Sequence, residues 1–95
     1  MRRSWAVGLI IISILAMACG GAADVDDYKA AFVYVGPADD GGWSQAHDVG
    51  RQYLVEQTGI QTEYTALVPE DATELRTVEE AYIEQGYDLT FGTTF

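Results

Sequence analysis

Basic residues are scarce in this 95-residue chain: five Lys and Arg stand against fifteen Asp and Glu. Two of the five, Arg2 and Arg3, sit at the very start. From residue 19 onward three basic residues therefore face fifteen acids, a net charge of −12. A surface this acidic repels nucleic acid and anionic headgroups, which excludes a nucleic-acid partner and a basic membrane-binding patch. Cysteine occurs once, at Cys19, so no disulfide framework can form within the chain. Histidine also occurs once, at His47. With no second His or Cys to share a metal, it reads as a helix-surface residue and no metal site is expected. The chain also lacks a Gly-x-Gly-x-x-Gly fingerprint, EF-hand spacing and a nucleophile–histidine pair. No cofactor and no catalytic residues are expected, and the chain does not read as an enzyme.

Long apolar runs are absent too, except at the N-terminus. Residues 5–18 are apolar apart from Gly8 and Ser13 and follow the basic start. The run is short for a membrane span but suits the apolar core of a secretion signal. It ends in Leu15-Ala16-Met17-Ala18-Cys19, and small residues directly before the only cysteine resemble a bacterial lipoprotein signal. Residues 1–18 thus read as a signal peptide and Cys19 as a lipidation site, with attachment outside the cytoplasmic membrane. One acyl chain binds weakly, so stable anchoring needs the several that a fully acylated Cys19 would carry. Residues 19–28 then form an acidic tether. A plain signal peptide with a chance cysteine is the simpler alternative.

Residues 29–95 alternate in period. Residues 29–35 are nearly all apolar and read as a strand buried on both faces, stopped by Gly36 and Pro37. Residues 44–58 carry Ala46, Val49, Tyr53 and Leu54, with Gly50 alongside, as one helical stripe expected to face the core, and Gly59 as the stop. Residues 60–68 alternate, with Ile60, Thr62, Tyr64, Ala66 and Val68 on one face, as an edge strand. Pro69, Glu70 and Asp71 open a second helix whose buried stripe is Leu75, Val78 and Tyr82; Gly86 ends it. Residues 87–92 read as a third strand. Strand–helix alternation of this kind predicts an α/β fold, a three-layer βαβαβ unit on a parallel sheet with right-handed crossovers. The abrupt end at Phe95 suggests the front piece of a longer protein.

The chemistry gathers in the turn from first strand to first helix, Asp39-Asp40-Gly41-Gly42-Trp43-Ser44. In open α/β sheets ligands bind beyond the carboxyl ends of strands, where such turns lie. Asp39 and Asp40 occupy the helix N-terminus where a phosphate would sit, so phosphorylated ligands are disfavoured. Ionised carboxylates only accept hydrogen bonds, which suits a neutral or cationic ligand carrying N–H or O–H donors. Trp43 offers a flat stacking face, worth roughly 1–3 kcal/mol for a nucleobase. Gly41 and Gly42 allow a close backbone approach. Thr93 and Thr94 would present hydroxyls at the end of the third strand. The plainer alternative makes Trp43 a core residue and the acids helix caps.

The run KAAFVYVG at 29–36, then DGGWSQAHD at 40–48, then GYDLTFG at 86–92 resembles the basic membrane protein (BMP, PnrA-like) family, the substrate-binding lipoproteins of ABC transporters. The resemblance implies a type I periplasmic-binding-protein lobe, of which 29–95 would be the N-terminal part. It implies a purine nucleoside or purine base as ligand, and permease and ATPase subunits as partners. Carried over, Trp43 matches the aromatic that stacks on the base and Asp40 a polar contact. Ser44 falls where many members carry Asn, which leaves a free base as open as a nucleoside. Three other readings stay open: a same-fold receptor for another solute such as a sugar, an enzyme on a flavodoxin-like half-sheet, and a structural surface lipoprotein.

Overall fold

A computed structural model of the chain describes residues 24–94. The leader at 1–18, Cys19 and the tether up to residue 23 lie outside the described residues, as does Phe95. Within the tether, Val25–Asp27 form a 3-10 turn capped by the Asp24 carboxylate.

Five elements follow: β1 (Lys29–Val33), α1 (Trp43–Thr58), β2 (Gln61–Thr65), α2 (Ala72–Glu84) and β3 (Leu89–Gly92). The three strands form one sheet in the order β2-β1-β3, with both pairings parallel. The expected α/β unit on a parallel sheet is what forms. β1 lies in the middle because it alone is apolar on both faces. Ala30, Ala31, Phe32, Val33 and the following Tyr34 are all buried. Fully burying a side chain the size of Val33 or Phe32 contributes roughly 1.5–3 kcal/mol. Because side chains alternate along a strand, the two faces of β1 feed two separate clusters. Ala31 and Val33 join Val68, Tyr82 and Tyr87, with Leu75 and Val78 of α2 packed on them. Ala30, Phe32 and Tyr34 join Ala38, Ile60 and Leu54 of α1. The helices therefore cover opposite faces, as a right-handed crossover to each side of β1 requires.

Local signals end the elements where expected. Gly59 adopts a left-handed φ of 71° at the end of α1, and its N–H bonds the Val55 carbonyl. α2 starts later than expected, at Ala72: Pro69 and Glu70 stay outside it, and Asp71 caps it by accepting from the N–H groups of Thr73 and Glu74. Its buried stripe is Leu75, Val78 and Tyr82, as the spacing predicts.

Two further expectations are corrected. Of the stripe Ala46, Val49, Tyr53 and Leu54, with Gly50 alongside, only Leu54 packs on the sheet: the other four are exposed, and Tyr53 is 62% accessible. α1 is instead rotated to bury Ser44 and Asp48, with Arg51 and Leu54 half-buried beside them. The reason is the polar partner on the sheet. The hydroxyl of buried Tyr34 needs an acceptor, and it donates to Asp48 Oδ1 at 3.2 Å. Val68, in turn, leaves the face shared by Ile60, Thr62 and Tyr64. β2 ends at Thr65, and Leu67 takes a φ of +60°, which turns Val68 into the α2-side cluster.

Candidate functional site

The strand order places the site. From β1 the chain moves to β2 on one side, then crosses back to β3 on the other. The crevice at the carboxyl ends of β1 and β3 is therefore the topological switch point, where open α/β sheets bind ligands. The loop after β1 and the residues after β3 meet there.

The β1–α1 loop is held by its own polar groups. Asp40 Oδ1 accepts from the N–H groups of Gly42 and Gln45, at 2.8 and 3.0 Å, and Oδ2 accepts from Ser44 N–H at 3.2 Å. These backbone donors, Gln45 and Gly42 first, hold the carboxyl below its ordinary range. The Gln45 side chain accepts from Gly41 N–H at 2.7 Å, and Gly41 sits at a left-handed φ of 72°. Ser44 is fully buried, and its Oγ accepts from Gly36 N–H at 3.1 Å. A Cβ at Gly36 would stand 3.0 Å from Asp40 Oδ2 and 3.1 Å from Ser44 Oγ, so any larger residue there would push on both side chains. Asp40, at the surface, and Ser44, beneath it, thus brace the loop around Gly42. The Gly42, Ser44 and Gln45 N–H groups at the start of α1 are taken by the chain's own carboxylate, which leaves little for a phosphate. Asp40 keeps about one of its four lone-pair sites for an outside donor.

Trp43 is the first residue of α1 and is 59% exposed. Its Nε1 donates to the Thr93 carbonyl at 3.2 Å, which ties one edge of the indole to the residues after β3. Thr93 is tied in turn: its N–H and Oγ both donate to the Val33 carbonyl, at 3.2 and 3.0 Å. The Thr94 hydroxyl donates to the Thr93 carbonyl at 2.6 Å. Neither hydroxyl has a free hydrogen, though both oxygens can still accept.

Asp39 points elsewhere. It lines an open cleft of about 590 Å³ on the β2 side of α1, with Gln45, Asp48, Gln52 and Tyr64. The structure therefore divides the seven candidate residues: Trp43, Thr93 and Thr94 surround the crevice, Asp40, Gly42 and Ser44 shape its loop, and Asp39 stands across the helix.

Beneath the loop lies a polar cluster that the sequence reading missed. Asp48 accepts from Tyr34 OH, from Arg51 Nε at 2.7 Å and from Gln52 Nε2 at 2.7 Å. Burial pushes this carboxyl up, but the Arg51 and Gln52 bonds and the Arg51 charge prevail and hold it below the ordinary 3.8. Arg51 also donates to Thr62 Oγ1 and lies 4.9 Å from the Tyr64 ring. The Tyr34 phenol is pushed well above its ordinary value, first by burial and then by the Asp48 charge. The i, i+3 spacing of Asp48 and Arg51 was the available signal. His47, expected on the helix surface, lies in α1 one turn after Trp43, with ring centroids 4.9 Å apart. Among the described residues no group of three or more His, Cys, Asp or Glu could hold a metal.

No protein-family profile matches the chain. It is 42% identical over 78 residues to a Haloferax volcanii protein named as an ABC transporter glucose-binding protein, TsgA13, covering 80% of this chain and 19% of that protein. It is 36% identical over 90 residues to a purine-binding protein of Brucella abortus, covering 92% of this chain and 25% of that protein. The chain thus spans a fifth to a quarter of the length of the curated relatives it matches. Both are named for binding a small molecule, and neither name is that of an enzyme.

Proposed function

We propose that this chain is the front part of a BMP-type solute-binding lipoprotein of an ABC importer, anchored through Cys19 outside the cytoplasmic membrane. It captures a purine base or purine nucleoside for permease and ATPase subunits to import, and it is not an enzyme. The indole of Trp43 supplies the stacking face for the ring. The remaining acceptor site of Asp40 and the oxygens of Thr93 and Thr94 take ligand N–H or O–H groups. Asp40, Gly42 and Ser44 keep the loop in shape. The observation that carries the reading is an exposed indole tied to Thr93 at the switch point, beside a helix N-terminus that its own carboxylate already fills. Planar, uncharged ligands suit that pair, and phosphorylated ones do not. The purine-binding relative supports the ligand class, and both relatives support a binding role.

A sugar is the second reading, favoured by the glucose-binding relative. Aromatic stacking and carboxylate acceptors serve a pyranose as well. Half a cleft lacks the opposing wall that desolvates a ligand, so this chain alone is expected to bind far more weakly than a complete cleft, and micromolar binding would overturn that expectation. Nuclear magnetic resonance reads such weak binding. The chain, with Trp5→Phe so that Trp43 is the only indole, is titrated with adenine, adenosine, AMP and glucose. Saturable shifts of the Trp43 indole N–H and the Thr93 amide with adenine or adenosine support the purine reading. Shifts with glucose alone move it to sugars. Tighter binding of AMP than of adenosine, or no response at all, overturns it.

A further inference from the structure

The site above depends on an indole that stands largely in solvent at the first position of a helix, where a side chain is normally free to change rotamer. Its one hydrogen bond, Nε1 to the Thr93 carbonyl at 3.2 Å, fixes an edge of the ring and leaves it free to swing about that point. A second contact removes this freedom. The His47 imidazole lies against the indole with centroids 4.9 Å apart and planes inclined at 49°. His47 is itself fixed. Its Nδ1 lies 2.8 Å from the Trp43 carbonyl oxygen. A carbonyl can only accept, so Nδ1 carries the hydrogen and the imidazole cannot turn without losing that bond. One residue's backbone thus anchors the ring that supports its own side chain.

We propose that His47 is a positioning residue for the binding site: it backs one side of the Trp43 indole and leaves the other as a preorganised stacking face. The inference rests on the ligand-binding role proposed above for Trp43, but its physical content can be read without any ligand. An indole held by Thr93 and His47 has already given up its rotamer freedom before a ligand arrives. Removing the imidazole returns that ordering cost to the binding step, about a three- to tenfold loss of affinity for a stacked ligand. A ligand that does not stack loses nothing. His47 touches no ligand in this arrangement; it acts through Trp43.

The test compares the Trp5→Phe chain with His47→Ala, His47→Gln and His47→Phe on that background. In the ligand-free state the readouts are Trp43 fluorescence anisotropy, the near-ultraviolet dichroism of the indole, and solvent exchange of its N–H. His47→Ala is expected to lower the anisotropy, flatten the indole dichroism and speed N–H exchange, with far-ultraviolet dichroism unchanged. His47→Phe, which keeps a ring at the same place, is expected to restore most of the signal. His47→Gln keeps a donor for the Trp43 carbonyl but no ring, so it is expected to loosen the indole as His47→Ala does. It also covers the case in which His47→Ala fails to fold. An indole as ordered in His47→Gln as in the parent overturns the proposal. Ligand shifts are measured separately. If no ligand binds while the ligand-free signatures change as described, the binding role falls and the positioning by His47 stands.

Discussion

The two faces of the sheet are built on different principles. Under α2 the contact is apolar: Ala31, Val33, Val68, Leu75, Val78, Tyr82 and Tyr87, with hydroxyls only at its rim. Under α1 it is polar at the loop end and apolar at the other: Ser44, Asp48, Arg51 and Tyr34 first, then Leu54, Phe32 and Ile60. Apolar burial is non-directional and rewards area. Hydrogen bonds reward one orientation. α2 therefore acts mainly as the stabilising layer, whereas α1 is held in one rotation about its axis. That rotation aims Trp43 at Thr93. The helix that carries the candidate site is the one fixed by directional contacts, at the expense of leaving Ala46, Val49 and Tyr53 in solvent.

The largest expected effect comes from breaking the apolar face. Tyr82→Ala removes a nearly fully buried ring from the α2 cluster and is expected to cost about 3–5 kcal/mol. A domain of this size holds only about 4–10 kcal/mol in total, so urea titration should find a large part of its stability gone. Tyr82→Phe removes only the bond with Thr65 Oγ1, at 2.7 Å, and should cost about 1 kcal/mol. A loss below 1 kcal/mol for Tyr82→Ala would erase the distinction between the faces.

Breaking the polar face comes next. Asp48→Ala leaves the half-buried Arg51 guanidinium and the Tyr34 hydroxyl without their acceptor, at about 1.5–3 kcal/mol. The double change Asp48→Leu with Arg51→Met removes the ion pair but still orphans the Tyr34 hydroxyl, so it should recover only part of the loss, and adding Tyr34→Phe should return stability to within about 1 kcal/mol of the parent. A double-mutant cycle by urea denaturation reads both. Recovery of stability with loss of the ordered Trp43 signal would separate orientation from stabilisation.

Acid distinguishes the faces more finely. Asp48 and Asp40, both on the α1 side, have folded values held below the ordinary 3.8. Their stabilising contribution is present above that value and is lost as pH falls through and below it, because the unfolded chain takes up protons first. Denaturation midpoints should therefore drop below about pH 4, and Asp48→Asn should make the drop shallower. On the alkaline side Tyr34, Tyr82 and Tyr87 are raised, in each case first by burial, so stability falls above their ordinary 10.0 on both faces.

This division also decides what was legible beforehand. The apolar face could be read: the run that forms β1, the stripe of Leu75, Val78 and Tyr82, and the caps at Gly59 and Asp71 all carry local signals that the fold obeys. The polar face could not. Helical periodicity counts apolar residues, and in α1 the most periodic apolar set is the exposed one. The winning set, Ser44, Asp48 and Arg51, gains its value from Gly36, Tyr34 and Thr62, which lie elsewhere in the chain. The same holds for the site. The loop and Trp43 stood out by composition, but that Asp40 braces its own loop, that Asp39 lies across the helix and that His47 backs the indole depend on contacts no spacing rule ranks. The Leu67 turn had no signal, since leucine rarely adopts a φ of +60°.

The smallest effect on stability is expected where the largest effect on binding is proposed. Trp43 is more than half exposed, and its single bond to Thr93 lies at the surface. Trp43→Ala should cost under about 1 kcal/mol in urea denaturation, less than either face loses above. The same change should abolish the purine-dependent shift of the Thr93 amide. A residue kept exposed, aromatic and oriented at such small benefit to the fold is what a ligand-stacking role requires. The opposite pattern, a loss of several kcal/mol with ligand shifts intact, would make Trp43 part of the core and move any binding to the cleft beside Asp39.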